Sequence, residues 1–411
     1  MVPKGWEYST LESLCEPSAP ITYGVLKPGD YFADGVPLLQ IKDLLSDLSE
    51  PQYLHRISPE LDEQYRRSRI KTNDILISLV GTVGRIGIVP EQLNNANIHR
   101  NLGRIRTESF EFLVHYLHSD IAKNRFGISS SGSSQSALNL TVLRSLKVPV
   151  PPFPEQQKIA KILSTWDKAI STTERLIDNS TQQKSALMQQ LLTGKQRLLD
   201  ESGQRFAGEW EEYKLGEITD FIRDGTHGTH KRYESGVPML SAKNITKENT
   251  VDFDDAPYIS EEDYNKIHAR YTIKSGDILL TVVGTLGRVA LVPEELAEKF
   301  TLQRSVAIIR VAKGVCNQFL MQLFSSSDFT HLLHRKSNST AQAGVYLGEL
   351  GKLKILLPSF EEQQKIATVL TNADKEIELL EQQLADLQQE KKALMQVLLT
   401  GKKRVRINDR T

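Results

Sequence analysis

Apolar residues recur in alternating steps of four and three in two stretches of the chain. In 155–197 the phase is held by Ile159, Leu163, Trp166, Ile170, Thr173, Ile177, Ser180, Lys184, Leu187 and Leu191. In 362–404 it is held by Ile366, Leu370, Ala373, Ile377, Leu380, Leu384, Leu387, Lys391, Leu394 and Leu398. A stripe of this period sustained over more than four heptads predicts two long helices packed as a coiled coil, with its apolar members as the core. The stretches align without insertion, every match 207 positions apart, through EQQKIA, D-K-x-I, K-x-A-L-M-Q and L-L-T-G-K. Pro151, Pro152 and Pro154 are expected to stop helix before the first, and Pro358 before the second. Gly194 and Gly401, each followed by basic residues, supply the C-terminal stops. Each helix would be about 60 Å long. One such helix alone reads as an oligomerisation zipper, but two in one chain are expected to pair with each other. Lys184 and Lys391 interrupt the stripe far from the helix centres and are expected to face solvent or a partner subunit.

The remaining pattern is shorter in period. Residues 1–150 open with Trp6, Tyr8, Leu11 and Leu14, then a turn-rich ITYGVLKPGD. VPLLQIKDL (36–44) reads as a strand, and DILISLVGTVGRIGIV (74–89) as two strands joined by a glycine turn. His99, Arg100, Arg104 and Arg106 alternate with apolar residues along another strand candidate, and 108–126 suits a helix. Residues 205–357 repeat the plan: VPMLSAKNI matches VPLLQIKDL, DILLTVVGTLGRVALV matches the two-strand stretch, and LQRSVAIIR matches HRNLGRIR. The offset drifts between 201 and 207, so loops vary while framework elements recur. The chain is a tandem duplication of class α+β. Its expected divisions are a first α/β domain at 1–150, a helical spacer at 151–197, a linker at 198–208, a second domain at 209–357, a second spacer at 358–405 and a tail at 406–411. The short linker makes the helices antiparallel, giving a pseudo-twofold object whose ends lie close together.

Composition adds limits. The 411 residues, 39% hydrophobic and 25% charged, are those of an ordinary multidomain protein. No apolar run is long enough to span a bilayer and no signal-peptide pattern opens the chain. Cys15 and Cys316 fit no metal spacing, which with the foregoing predicts a reduced, cytoplasmic setting without membrane contact. A net charge of zero argues against wholesale nucleic-acid affinity while leaving local basic faces open.

PPFPEQQKIAKIL and LPSFEEQQKIATVL, LMQQLLTGK and LMQVLLTGK, ITYGV, RDGTHGTH and the paired G-T-x-G-R segments resemble the specificity subunits of type I restriction–modification systems. The resemblance covers essentially the whole chain. It implies a non-catalytic DNA-sequence reader whose two recognition domains each read one half of a bipartite site. Its helices would set the spacing and dock two methyltransferase subunits, with two motor–nuclease subunits joining for cleavage. No cofactor is then expected on this chain; S-adenosylmethionine, ATP and magnesium belong to the partners. The competing reading is a coiled-coil scaffold with two protein-binding domains.

Candidate chemistry agrees with absent catalysis. V-P-P-F (150–153) lacks the Asn or Asp that an amino-methyltransferase motif needs, and neither G-T-x-G-R nor T-G-K has P-loop spacing. His227 and His230 lack a third metal ligand at a recognised spacing and read better as a turn near DNA. Cations would neutralise phosphates, while Arg, Gln, Asn and Ser read base edges. The DNA-binding candidates are Arg66, Arg67, Arg69, Lys71, Arg85, Arg100 and Gln135 in the first domain. In the second they are His227, Lys231, Arg232, Lys243, Arg288, Arg304 and Gln342. Those recurring at matching positions suggest shared backbone or framework roles. Specificity is expected where the copies differ, in 17–35, 45–72, 219–235 and 246–272, which predicts an asymmetric target.

Overall fold

A computed structural model describes residues 2–45, 48, 53–126, 137–337 and 344–407. The chain forms two compact units, Met1–Glu174 with Gln382–Thr411, and Arg175–Glu381. The divisions fall inside both long helices, so each unit contains part of each.

In the first unit the strands are β1 (Glu7–Thr10), β2 (Thr22–Tyr23), β3 (Val36–Leu39), β4 (His55–Ile57), β5 (Ile75–Ser78), β6 (Ile86–Ile88), β7 (Asn97–Ile98), β8 (Leu102–Ile105) and β9 (Lys147–Val150). The helices are α1 (Pro59–Gln64), α2 (Phe110–His118), α3 (Asp120–Arg125), α4 (Leu140–Ser145) and the start of α5 (Phe153–Leu191). An antiparallel sheet of order β2-β8-β5-β6 lies beside a smaller one, β4-β3-β7, in which β3 and β7 run parallel. Strand β5 is buried on both faces. Ile75 and Ile77 join the core under α2 and the long helices, and Leu76 joins the core shared with Leu39, Ile98 and Leu102. A strand covered on both faces reads as a continuous apolar run, which is why it stands out in the sequence.

Three expected elements are shorter than predicted. The strand at 36–44 stops at Leu39, because the Asp43 carboxylate accepts the Gln40 N–H (2.7 Å) and Ile41–Leu45 turns as a 3-10 helix. The helix at 108–126 breaks at Ser119, whose hydroxyl accepts the Ala122 N–H (3.3 Å) and caps α3. His99 makes an isolated bridge to Val25 and Arg100 lies in the turn before β8, so neither belongs to the strand.

The second unit repeats the plan with β10 (Glu211–Lys214), β11 (Thr219–Asp224), β12 (Val237–Leu240), β13 (Tyr258–Ile259), β14 (Ile278–Thr281), β15 (Val289–Leu291), β16 (Thr301–Leu302), β17 (Val306–Val311) and β18 (Lys354–Leu357). Its helices are α6 (Glu261–Ile267), α7 (Asn317–Phe324), α8 (Ser327–Lys336), α9 (Leu347–Gly351) and the start of α10 (Phe360–Leu398). The sheets are β11-β17-β14-β15 and β13-β12-β16, again with one parallel pair. Ile278 and Leu280 enter one core and Leu279 the other, as in β5. Each unit also buries an arginine–carboxylate fork at the end of its main sheet. Arg106 holds Asp74 through two 2.7 Å bonds, and Arg310 holds Asp277 likewise.

The two long helices span 39 residues each, about 60 Å at 1.5 Å per residue. Within the first unit the start of α5 packs antiparallel to the end of α10, and within the second the end of α5 packs antiparallel to the start of α10. Pro154 does not precede the first helix but sits in its opening turn, where no N–H is needed. Gly194 (φ +69) and Gly401 (φ +71) take the left-handed conformation just past the helix ends. There the Gln196 N–H reaches back to Gln190 O, and Lys403 to Val397 O, both at 3.1 Å. Of the predicted seam residues, Ile159, Leu163, Leu191, Ile366, Leu370 and Leu398 are fully buried. Trp166, Ile170, Ile177, Leu187, Ile377, Leu380, Leu384, Leu387 and Leu394 are half-buried, as two helices with one open side require.

Candidate nucleic-acid interface

At one end of the first unit's main sheet, three turns are tied together through main-chain bonds. His99 N–H bonds to Leu39 O (2.8 Å), Arg100 N–H to Val25 O (2.9 Å), and Leu79 N–H to Asn101 O (2.8 Å). The G-T-V-G turn is locked by Ser78, whose hydroxyl accepts the Arg85 N–H (2.8 Å) and donates to Thr82 O. Arg85, Arg100 and Lys42 thus stand on neighbouring turns at one edge. The second unit builds the same end. Gln303 N–H bonds to Leu240 O (2.7 Å), Arg304 N–H to Thr226 O (3.1 Å), and Val282 N–H to Ser305 O (2.9 Å). Thr281 Oγ1 accepts the Arg288 N–H (2.8 Å) as Ser78 does for Arg85.

Partners then sort the cations. Arg85 and Arg100 make no side-chain hydrogen bond or ion pair among the described residues, and neither does Arg304. Arg288 donates to Ile245 O (3.0 Å) and Lys243 to Asp255 O (3.0 Å). Lys42 occupies the place of Lys243 and is exposed; the sequence reading missed it, although VPLLQIK beside VPMLSAK carries the signal. Arg66, Arg67, Arg69 and Lys71 lie elsewhere, toward the opposite end of β5, where Ile70 pairs with Ala96 and Asp74 accepts from Lys71 N–H. Arg69 is committed to Asp62 and Glu63, at 2.6 and 2.7 Å, and those neighbours raise its pKa further. Arg66 bonds weakly to Glu63 (3.4 Å), and Arg67 is exposed.

In the second unit His227 bonds to Asp224 (2.7 Å) and His230 to Thr226 Oγ1 (3.0 Å), so these histidines brace a turn. Lys231 stands over the Tyr233 ring, 5.4 Å from its centre, and Arg232 is exposed. Gln135 and Gln342 lie outside the described residues. Among the described residues no group of three or more His, Cys, Asp or Glu side chains could hold a metal ion. Val150 of V-P-P-F is buried in β9.

A second constellation fastens the long helices. Glu155, fully buried, receives two 2.7 Å bonds from Arg404 and one of 3.1 Å from Trp6 Nε1. In the second unit Glu362 is held by Arg197 through two 2.6 Å bonds, while the buried Trp210 Nε1 has no partner among the described residues. Lys184 pairs with Asp374 and Lys391 with Asp167, their side chains only 14% and 18% exposed. These lysines therefore do not face solvent or a partner subunit as expected; the opposite helix supplies a carboxylate at each. Gln322 of α7 donates to Asp374 (2.7 Å), and at the equivalent place on α2 His115 faces Asp167 (3.6 Å) and Ser164 (3.1 Å). Burial pushes the His115 imidazole down to about 4; Asp167 opposes that shift and Lys391 adds to it.

The fold and these ends define a duplicated recognition-domain protein built on paired helices. The family model for the type I restriction modification DNA specificity domain matches residues 3–179 and 207–389, and the chain belongs to that family. It is similar to the putative type I restriction enzyme MjaX specificity subunit of Methanocaldococcus jannaschii, 28% identical over 98% of this chain and 95% of that protein. It is 32% identical to the EcoBI specificity subunit of Escherichia coli over 47% of this chain, a match spanning only 41% of that relative. Among solved structures, the HsdS subunit from Thermoanaerobacter tengcongensis matches with a TM-score of 0.51 at 19% identity, over 97% of this chain and 98% of that one. A chain from a study of complex assembly and conformational transition of the type I R-M system matches with a TM-score of 0.59 at 18% identity, over 98% of this chain and 99% of that one. At these identities the two structures show the shared fold. No helix of the described residues is long and apolar enough to cross a membrane.

Proposed function

We propose that each recognition unit reads one half of an asymmetric bipartite DNA target. The paired helices set the spacing and dock two methyltransferase subunits, and two motor–nuclease subunits join for cleavage. The chain itself performs no catalysis and binds no cofactor; S-adenosylmethionine, ATP and magnesium act on the partner subunits, in the cytoplasm. One observation carries this reading. The same end of the same sheet presents recurring cations in both units, Arg85 and Arg100 in one, Arg288 and Arg304 in the other, beside loops whose sequences differ. Recurring cations suit phosphates, which carry no sequence information, and differing loops suit base edges, which do. Half-sites one duplex turn apart are separated by about 34 Å, within reach of helices about 60 Å long.

The test is single-molecule sequencing of adenine methylation in cells expressing the methyltransferase subunit with and without this chain. A bipartite methylated motif that disappears with the gene supports the proposal. Methylation unaffected by its loss refutes it and favours the scaffold with protein-binding domains.

A further inference from the structure

Two loops with almost no sequence in common have the same frame. Residues 24–35 read GVLKPGDYFADG and 225–236 read GTHGTHKRYESG, both twelve residues long. Each opens on a glycine packed against a carbonyl: a Cβ on Gly24 would lie 1.7 Å from Ile98 O, and one on Gly225 2.1 Å from Leu302 O. Each closes on another, where a Cβ on Gly35 would lie 2.1 Å from Ile57 O and one on Gly236 2.3 Å from Ile259 O. Near the far end of each, an aromatic residue anchors the backbone. Phe32 N–H bonds to Arg56 O (3.1 Å) and Tyr233 N–H to Tyr258 O (3.0 Å). Both rings nonetheless remain 46% and 43% exposed. The residue after the first glycine accepts the N–H of Arg100 or Arg304, so each loop starts beside the recurring cation.

We infer that these two loops are the interchangeable base-reading elements of the chain, each specifying its own half-site. This rests on the DNA-reading function proposed above. The shared frame, which is glycine and main-chain bonding, is constant; the bonds of His227 to Asp224 and of His230 to Thr226 brace the second loop in addition. The exposed contents are not. The first loop presents Leu26, Lys27 and Tyr31, and the second His227, Lys231 and Arg232. Lys and Arg match the O6 and N7 acceptors of guanine, whereas apolar surface suits a thymine methyl. The same backbone thus offers different chemistry to a groove edge. Phe32 and Tyr233 place a partly exposed ring at the same position of both loops, suited to packing on a sugar or base.

The test exchanges 25–34 for the sequence of 226–235, a swap of ten residues for ten that leaves all four glycines in place. The chimera is expressed with the methyltransferase subunit, and its motif is read by single-molecule sequencing. The first half-site is expected to change while the second half-site and the spacer stay as they were. A methylating chimera with an unaltered motif overturns the inference. Should the chimera fail to assemble, Tyr31→Ala and Arg232→Ala in the intact frame decide. Each is expected to relax one position of its own half-site by about tenfold, and no relaxation by either overturns the assignment. A wild-type complex that methylates no bipartite motif sinks the DNA-reading function itself, which separates the two failures.

Discussion

Replacing Arg197 with methionine removes the one side-chain partner that a fully buried carboxylate, Glu362, has among the described residues. Glu362 then loses two 2.6 Å charge-assisted bonds, and among the described residues no other side chain bonds to it; Trp210 Nε1 has no partner there. Stranding one member of a buried pair costs about 3–5 kcal/mol. The Arg197 side chain is 19% exposed, so water partly enters the vacated site and the lower end of that range is expected. Unfolding in urea, followed through tryptophan fluorescence, should shift its midpoint down by about 1–2 M for the transition of this unit.

The duplicated chain contains its own control. Arg404→Met makes the corresponding change at Glu155, but the Arg404 side chain is 43% exposed and Glu155 keeps the 3.1 Å bond from Trp6 Nε1. Arg404→Met should therefore cost less than Arg197→Met, and adding Trp6→Phe should narrow the difference. The paired change Arg197→Met with Glu362→Met should recover much of the loss, because replacing both partners leaves no stranded charge. Equal costs for the two arginines, or a loss below about 1 kcal/mol at Arg197, would refute the view that these carboxylates depend on their forks.

Three further outcomes are expected. His115, with its folded pKa near 4 against about 6.5 unfolded, contributes stability that is complete above pH 6.5 and is lost as the pH falls toward 4. His115→Gln, which installs the residue type found at Gln322, should then lose about 2 kcal/mol less than the wild type between pH 7.5 and 5, measured as urea midpoints at both. Alanine at Arg85, Arg100, Arg288 or Arg304 should weaken specific and non-specific DNA alike in a salt titration of the assembled complex, each lowering the slope of log K against log salt by about 0.9. A circular permutant opened within 198–208 should assemble and keep its methylated motif, because Arg404 Nη1 bonds to Lys4 O at 2.8 Å and the ends of the chain already meet in the first unit; a well-expressed permutant that fails to assemble would count against this.

What the sequence showed and what it hid divide along a physical line. The long helices were legible because a packed seam fixes residue type at every third or fourth position, and 207 residues later the same constraint returns. Strands β5 and β14 were legible because both faces are buried, so neither ILIS nor ILLT alternates with polar residues. The strand ends were not, since Asp43 closes a turn through its side chain while its neighbours keep a strand-like apolar pattern. Arg69 looked like a free cation, yet Asp62 and Glu63 within seven residues engage it once the chain folds.

The lysines on the stripe pair across the helices for a related reason. The pattern along one helix does not show which residue stands opposite. Antiparallel pairing sets Lys391 against Asp167 and Lys184 against Asp374, and both aspartates stand in the D-K-x-I segment that identified the repeat. The loops at 24–35 and 225–236 pose the harder case. What their frames share is four glycines and main-chain bonds, and main-chain bonds impose no side chain, so only G-x7-aromatic-x2-G survives in the letters. A reader loop ought to look that way. If the frame were built from side chains, changing the sequence read would also change the shape that presents it.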